Sequence, residues 1–344
     1  MLKTQIMNSQ GENIVLNDVE SRNAERLTGE IQNALGFEVD ITTLTGISKS
    51  IVEQKFFELA PADYMPLRVG DNAWTQEVLT YKDFSTGGDF EEGVINTNAN
   101  NSRLAETDGG VEGIKVPVIN WAKGISWSIF DLKFASQSGN WDIVSSKERS
   151  RKKNWDLGIQ KIAFVGSNNN ASVKGLLTQA NVTANTAIIT KYIKDMTASE
   201  FNTFLADILG AYRTNAKNTT YPTHFVIPEA DYLGLASMPD ATYPLRTKLD
   251  ILEDSFKRLT RNQSFQVLPC AYADVANNAT ITDLNKNRYT LYNFDEDSGR
   301  MELPVDYSNT LANTINGVNF QNGAYGQYTG FQAFRDREFL YFDF

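Results

Sequence analysis

WTQEVLTYKDF (74–84), STGGDFEEGVINTNANNSRLAETDGG (85–110) and VEGIKVPVINWAKGISWSIFDLKF (111–134) follow one another without a break. The first stretch is β-rich, with Trp74, Val78, Leu79, Tyr81 and Phe84. The third alternates, with Ile114, Val116 and Val118 on one face, then Ile125, Trp127 and Ile129 on one face. Alternation at period two is the mark of a strand. The 26 residues between them are polar, open on Gly87–Gly88 and close on Gly109–Gly110. Strand, long loop, strand reads as an extended hairpin. Ordinary hairpin loops hold about 2–5 residues, and structureless loops beyond about 12–15 are uncommon unless they are functional or disordered. Ordering such an insertion costs roughly 1–2 kcal/mol per residue in backbone entropy, which contacts with a neighbouring molecule can offset.

Downstream, NWDIVSSKERSRKKNWDLGIQKIAFV (140–165) predicts one long helix. Val144, Glu148, Arg151, Trp155, Ile159 and Ile162 form a single stripe at spacings of three and four. Its ends are apolar and its middle is charged, a pattern expected of a helix that lies across a plate and meets different neighbours along its length. The KERSRKK block (147–153) reads either as a solvated face or as an intersubunit charge patch. VKGLLTQANVT (173–183) predicts a turn and then a strand. TASE (197–200) is a capping box opening a helix through Phe201, Phe204, Leu205, Ile208 and Tyr212. THFVI (223–227) predicts a buried strand, EADYLGLAS (229–237) a short helix, and Leu245 to Leu259 an amphipathic helix with Pro244 near its start. SFQVL (264–268) is again a strand, and RYTLYNF and MELPVDY flanking DEDSG (295–299) predict a hairpin. The aromatic run EFLYFDF (338–344) is expected to be pinned into a sheet. Upstream, residues 1–50 are polar but hold Ile31, Leu35, Phe37, Val39 and Ile41, so an arm ordered against a neighbour and a loose terminus are both open readings. The class is α+β, with helices and strands irregularly interleaved.

Composition narrows the function. The 344 residues carry 32 basic and 42 acidic side chains, a net charge of −10. A sequence-independent nucleic-acid binder needs a basic footprint, and none is present overall. One cysteine, Cys270, allows no intrachain disulfide. The start shows no secretory signature, and no apolar run reaches the ~18 residues of a membrane span. A soluble protein made in a cytoplasm is expected.

Catalytic constellations are thin. His224 is the only histidine, so a multi-histidine metal site is impossible, and its place inside a predicted strand suits a structural role. A Cys270/His224 dyad is arithmetically open but lacks a strained-turn motif. Asp295, Glu296 and Asp297 read as a hydrated turn, since a hard-cation loop needs about six oxygen ligands in order. Neither a phosphate-binding loop nor a zincin or nucleophile-elbow motif is present. No cofactor is expected.

From Ile51 onward the chain resembles the tailed-phage major capsid protein family with the Hong Kong 97-type fold. The residues that carry the resemblance are EQKFFELAPADYMPL, Trp74 with YKDFSTGGDF, VPVINWAKGISWS, the long helix ending in IAFVG, VKGLLTQANV, and YPTHFVIPEADYLGL. Their order and spacing carry it, with no one motif diagnostic. The resemblance implies an N-terminal arm (1–50), an extended loop (74–122) that overlies an adjacent subunit, and a peripheral domain. That domain would comprise 51–73, 123–191 and 321–344, with a spine helix at about 140–166. An axial domain (192–320) would lie near the capsomer axis. It implies a structural protein, not an enzyme, assembled in the host bacterial cytoplasm into the virion capsid. Its partners would be itself, as pentamers and hexamers of an icosahedral shell, then a portal, and scaffolding or decoration proteins. It would enclose double-stranded DNA without sequence-specific binding and touch no membrane. The encapsulin shell, which shares the fold but carries enzyme cargo, is the nearer alternative, and a soluble hydrolase or binding module the distant one.

Some members of the fold join subunits through a lysine in the extended loop. Here residues 84–114 contain no lysine, only Arg103, with Lys82 and Lys115 at the stems, so no such cross-link is expected. The candidate intersubunit residues are the loop's Asp89, Glu91, Glu92, Arg103, Glu106 and Asp108. Opposite them would stand Lys147, Arg149, Arg151, Lys152 and Lys153 of the helix.

Overall fold

The protein is described by a computed structural model over residues 5–7, 13–15, 59–86, 108–137, 142–237, 246–278 and 284–344. The chain divides into two units, Met1–Phe56 and Phe57–Phe344. In the first, strand β1 (Gln5–Met7) pairs antiparallel with β2 (Asn13–Val15); the rest of the expected arm lies outside the described residues.

The second unit begins with β3 (Leu67–Val69), β4 (Glu77–Thr86), β5 (Asp108–Pro117) and β6 (Ile119–Ser128), followed by helices α1 (Ile129–Gln137) and α2 (Ile143–Phe164). Then come β7 (Thr183–Asn185), α3 (Ala198–Asn215), β8 (His224–Pro228), α4 (Glu229–Ser237), α5 (Lys248–Thr260), β9 (Gln266–Cys270) and the single turn α6 (Val275–Asn278). The remainder is β10 (Arg288–Tyr292), β11 (Gly299–Leu303), β12 (Val305–Asn309), β13 (Asn313–Thr314), β14 (Asn319–Tyr328), β15 (Gln332–Ala333) and β16 (Phe339–Asp343).

A five-stranded sheet, ordered β7-β16-β10-β8-β9, runs through the centre. The sequences FVI, YTLY and FLYF run almost wholly aromatic and aliphatic, broken only by Thr290, because both faces of this sheet are covered. Side chains alternate across it. Val226, Tyr292, Phe339 and Tyr341 join one core with Trp155, Ile159, Ala163 and Phe164 of α2. Phe225, Ile227, Tyr289, Leu291, Leu340 and Phe342 join another with α3 and α5. The last strand is also held by charge. The buried Asp343 carboxylate takes two bonds of 2.7 Å from Arg288 and one of 2.9 Å from Lys286. The Arg288 guanidinium lies 4.2 Å over the Tyr341 ring. Burial alone pushes the Asp343 carboxyl up, but the two cations outweigh it and hold it below the ordinary carboxylate range.

Helix α2 starts where Asp142 caps the Val144 and Ser145 amides, close to the predicted start. It lies against a ribbon in which β6 pairs with β14 over ten residues and β14 pairs with β12 and β13. Trp155 meets Trp121 at 5.0 Å and Tyr328 at 6.1 Å across that interface. Gly158, on α2, has nothing within 4 Å of where a Cβ would stand. Gly158→Ala is therefore expected to stabilise the protein by about 0.5–1 kcal/mol through helix propensity, read as a rise in urea midpoint.

Two expectations are corrected. The alternation read through residue 134 stops at Ser128, where α1 begins. Ser128 N–H donates to Asp131 (3.0 Å) and Asp131 N–H donates to Ser128 Oγ (3.1 Å), a reciprocal cap that turns the chain into a helix. RYTLYNF and MELPVDY are not hairpin partners. The turn is real, with the Asp295 carbonyl accepting from Ser298 and Gly299. It passes the chain from the five-stranded sheet to another, ordered β15-β11-β3. Residues 305–314 pair with β14 in the ribbon beside α2. The capping box at Thr197–Glu200 forms as read. A second, Thr247–Asp250, opens α5, and Pro244 lies outside the described residues.

Candidate functional site

The hairpin predicted from residues 74–122 forms through β4 and β5, paired in unbroken register from Glu77↔Pro117 to Thr86↔Asp108. Its two faces differ. On the inner face Val78 and Val116 are buried, and Thr80 Oγ1 accepts from Arg300 Nη2 at 3.1 Å. Arg300 lies 4.7 Å over the Phe334 ring and donates to Glu302 at 2.9 Å. Glu302 also accepts from Asn72 at 3.0 Å. The approach to β4 is turned by three left-handed residues, Gly70, Asn72 and Trp74, at φ 90°, 58° and 64°. The Trp74 amide is held by Gln327 at 2.8 Å. On the outer face Leu79, Tyr81 and Val111 are exposed. Gly113 sits beneath them, where a Cβ would come within 3.0 Å of Leu79. The stem is thus seated at its base and open on its far side.

Of the loop candidates, Asp89, Glu91, Glu92, Arg103 and Glu106 lie outside the described residues, and Asp108 opens β5 opposite Thr86. On α2, Arg149 and Lys152 are exposed and Lys153 is half-buried, while Lys147 donates to the Ser126 carbonyl at 2.8 Å. Arg151 leaves the candidate patch. It is 2% exposed, and its five donor positions meet five acceptors within the chain. These are Tyr307 Oη (2.9 Å), the Asn322 carbonyl (3.0 Å) and side-chain oxygen (2.9 Å), Asn309 Oδ1 (3.1 Å) and the Lys123 carbonyl (3.4 Å). None is a carboxylate. The charge in the middle of the α2 stripe is therefore a hub joining α2 to β6, β12 and β14.

The chemical candidates resolve as structural groups. His224 stacks on Phe294 at 4.7 Å and Tyr292 at 5.6 Å, and burial pushes it down from 6.5 to about 4. The unfolded chain then takes up the proton more readily, so stability falls as pH drops from 6.5 toward 4 and levels off below. The full linkage is about 3 kcal/mol, which partial exposure reduces to about 1–2 kcal/mol. His224→Gln is expected to remove that part of the loss, seen by comparing urea midpoints at neutral and mildly acid pH. Cys270 is buried, and desolvation pushes its thiol up to about 12. It pairs with Pro228 across parallel strands, four residues from His224, a separation of about 13 Å. No dyad forms. Glu296 is bound to Arg68 at 2.7 Å, and Arg335 faces Asp295 and Asp297 at 3.5 and 3.7 Å. Guanidinium groups stand where a cation would. Among the described residues no group of three or more His, Cys, Asp or Glu side chains is placed to hold a metal ion, and no helix is long and apolar enough to cross a membrane.

Residues 92–344 match a family described as major capsid protein. No curated protein matches the sequence. Among solved structures the chain is similar to the capsid of Myoviridae phage XM1, with a TM-score of 0.72 and 16% identity over 90% of this chain and 99% of that one. It is also similar to the capsid of a native GTA particle (TM-score 0.56, 12% identity, 88% and 95% covered) and to Mycobacterium phage Ogopogo (0.54, 11%, 88% and 97%). At such identities the likeness speaks for the fold, a mixed helix-and-sheet subunit of the phage-capsid kind.

Proposed function

Because the chain belongs to the major capsid protein family, we propose that it is the shell subunit of a tailed bacteriophage, a structural protein and not a catalyst. Copies associate as pentamers and hexamers of an icosahedral container around double-stranded DNA, with a portal at one vertex. The observation that carries this reading is the β4–β5 hairpin. A ten-residue ladder anchored at its base through Thr80, Arg300 and Glu302, with Leu79, Tyr81 and Val111 facing outward, is of little use to a monomer. It supports a neighbour. In this reading residues 74–122 are the extended loop and α2 is the spine of the peripheral domain. The region around α3, α4 and α5 is the axial domain. Negative-stain microscopy after a salt or concentration jump is expected to show closed shells tens of nanometres across. A monodisperse monomer under every condition would refute the reading.

The loop's Asp89, Glu91, Glu92, Glu106 and Asp108, offset only by Arg103, are proposed to face Arg149, Lys152 and Lys153 on α2 of an adjacent copy. Each exposed pair contributes about 0–1 kcal/mol, so the effect rests on repetition across the shell. Arg149→Glu with Lys152→Glu is expected to lower shell yield several-fold at low salt and to flatten its dependence on ionic strength, measured by sedimentation. Unchanged yield and salt dependence would remove the pairing while leaving the shell intact.

A further inference from the structure

The ribbon beside α2 ends in a surface that the hairpin reading does not use. β6 and β14 run together to the pair Ser128↔Asn319. Just beyond, the Ile129 amide donates to the Val318 carbonyl at 3.0 Å, and the Ile315 amide donates to the Asn319 carbonyl at 2.8 Å. Helix α1 and the turn around β13 therefore leave the same end of the ribbon. Both carry large apolar side chains into solvent. Phe130 is 61% exposed, Phe134 58%, Leu311 87% and Ile315 63%, with Ile129 and Val318 partly exposed beside them. From Ile129 to Ala135, Ala135 is the one α1 side chain in the buried core.

Charge is sparse in the same region: α1 carries only Asp131 and Lys133, and the turn and β14 carry none. From Tyr307 to Phe334 the chain has no Asp, Glu, Lys or Arg in 28 residues, although 22% of the whole is charged, which would give about six. Soluble proteins guard exposed β-structure with lysine or proline, and the β13–β14 arm of this ribbon has neither. Depletion of charge is the compositional mark of an interface core. It also excludes a nucleic-acid backbone as occupant, which would need cations. The exposed fractions leave on the order of 600 Å² of apolar side chain to water. That is at the upper end for a free monomer's largest patch and near the ~800 Å² that one partner contributes to a standard interface.

We propose that this ribbon end is a contact between copies, in which Phe130 and Phe134 of α1 with Leu311 and Ile315 of the turn meet a second copy of this chain. It is apolar and separate from the hairpin. The proposal rests on the shell-subunit reading and adds an interface to it. Such a contact is expected to be nearly insensitive to salt, unlike the loop–α2 pairing.

The test uses the full chain in three variants: Leu311→Asp, Phe134→Asp, and Val69→Asp as a control on β3 at 54% exposure. Leu311 is so exposed that its replacement leaves the fold intact, which a melting curve checks. Under conditions where the wild type closes into shells, both ribbon-end variants are expected to lower sedimentable shells by roughly tenfold or more, and the control to assemble normally. Normal shell yield from Leu311→Asp, or an equal loss in Val69→Asp, would overturn the contact and leave the shell reading standing. If the wild type forms no shells, the shell reading fails, and the contact fails with it.

Discussion

Arg151→Met is expected to lower the stability of the subunit by about 2–4 kcal/mol, measured as a shift in urea midpoint followed by the fluorescence of Trp121 and Trp155. Methionine fills most of the volume and relieves the desolvation of a buried charge, but it strips five oxygen acceptors of the donors that Arg151 supplies, the side-chain oxygens of Asn309 and Asn322 among them. Each buried unsatisfied group costs about 1–3 kcal/mol, and water can reach only those nearest the ribbon edge, so the loss wins. Arg151→Lys is expected to recover less than half, because a single ammonium with three donors cannot reproduce a planar fork that reaches Tyr307, Asn309 and Asn322 at once. A Met variant as stable as the wild type would mean that the hub is incidental.

Gly175→Ala is expected to be still more damaging, about 4 kcal/mol or beyond, with loss of most soluble protein. A Cβ at Gly175 would stand 2.3 Å from the carbonyl carbon of Phe164 and 2.4 Å from the nitrogen of Val165. Those are backbone atoms at the end of α2 and cannot swing aside. Displacing them breaks the bonds by which the Ala163 and Phe164 carbonyls accept from Leu176 and Leu177, at 2.8 and 2.9 Å. Gly166 and Gly330 close on the same strip, with Cβ positions 2.5 Å from Val173 O and 2.6 Å from Lys174 O. The end of α2, the turn at 173–175 and the far-off Gly330 are in backbone contact there, and only glycine allows it. Comparing soluble yield with that of Gly158→Ala, on the same helix, separates close approach from any general intolerance of alanine.

Local signals made much of this fold legible. The TASE box, the 3.6-residue stripe of α2 and the alternation of residues 111–128 each depend on neighbours within a turn or two, and each appears as read. What failed depends on partners far along the chain. RYTLYNF and MELPVDY flank a real turn, yet β10 takes its partners from β8 and β16, and β11 from β3 and β15. Nothing near residue 295 carries that information. Arg151 reads as surface charge inside KERSRKK, because its acceptors at 307, 309 and 322 lie more than 150 residues away. The start of α1 was legible in principle, since Ser128 and Asp131 have capping-box spacing, but the alternation running through Ile129 masks it. The hairpin stem of the candidate site was legible for the same local reason. Its inner and outer faces were not, because Arg300 and Phe334, which decide them, belong to the far end of the chain.

The position of β16 between β7 and β10 has a consequence for the timing of synthesis. Residues 183–185 and 288–292 are made first and have no common partner until 339–343 slide in between them. Both hydrophobic layers share that strand, so neither is complete while a nascent chain is still short of residue 343. A polypeptide released short of residue 339 therefore lacks both ladders that β16 makes, and with them the strand on which its two layers meet.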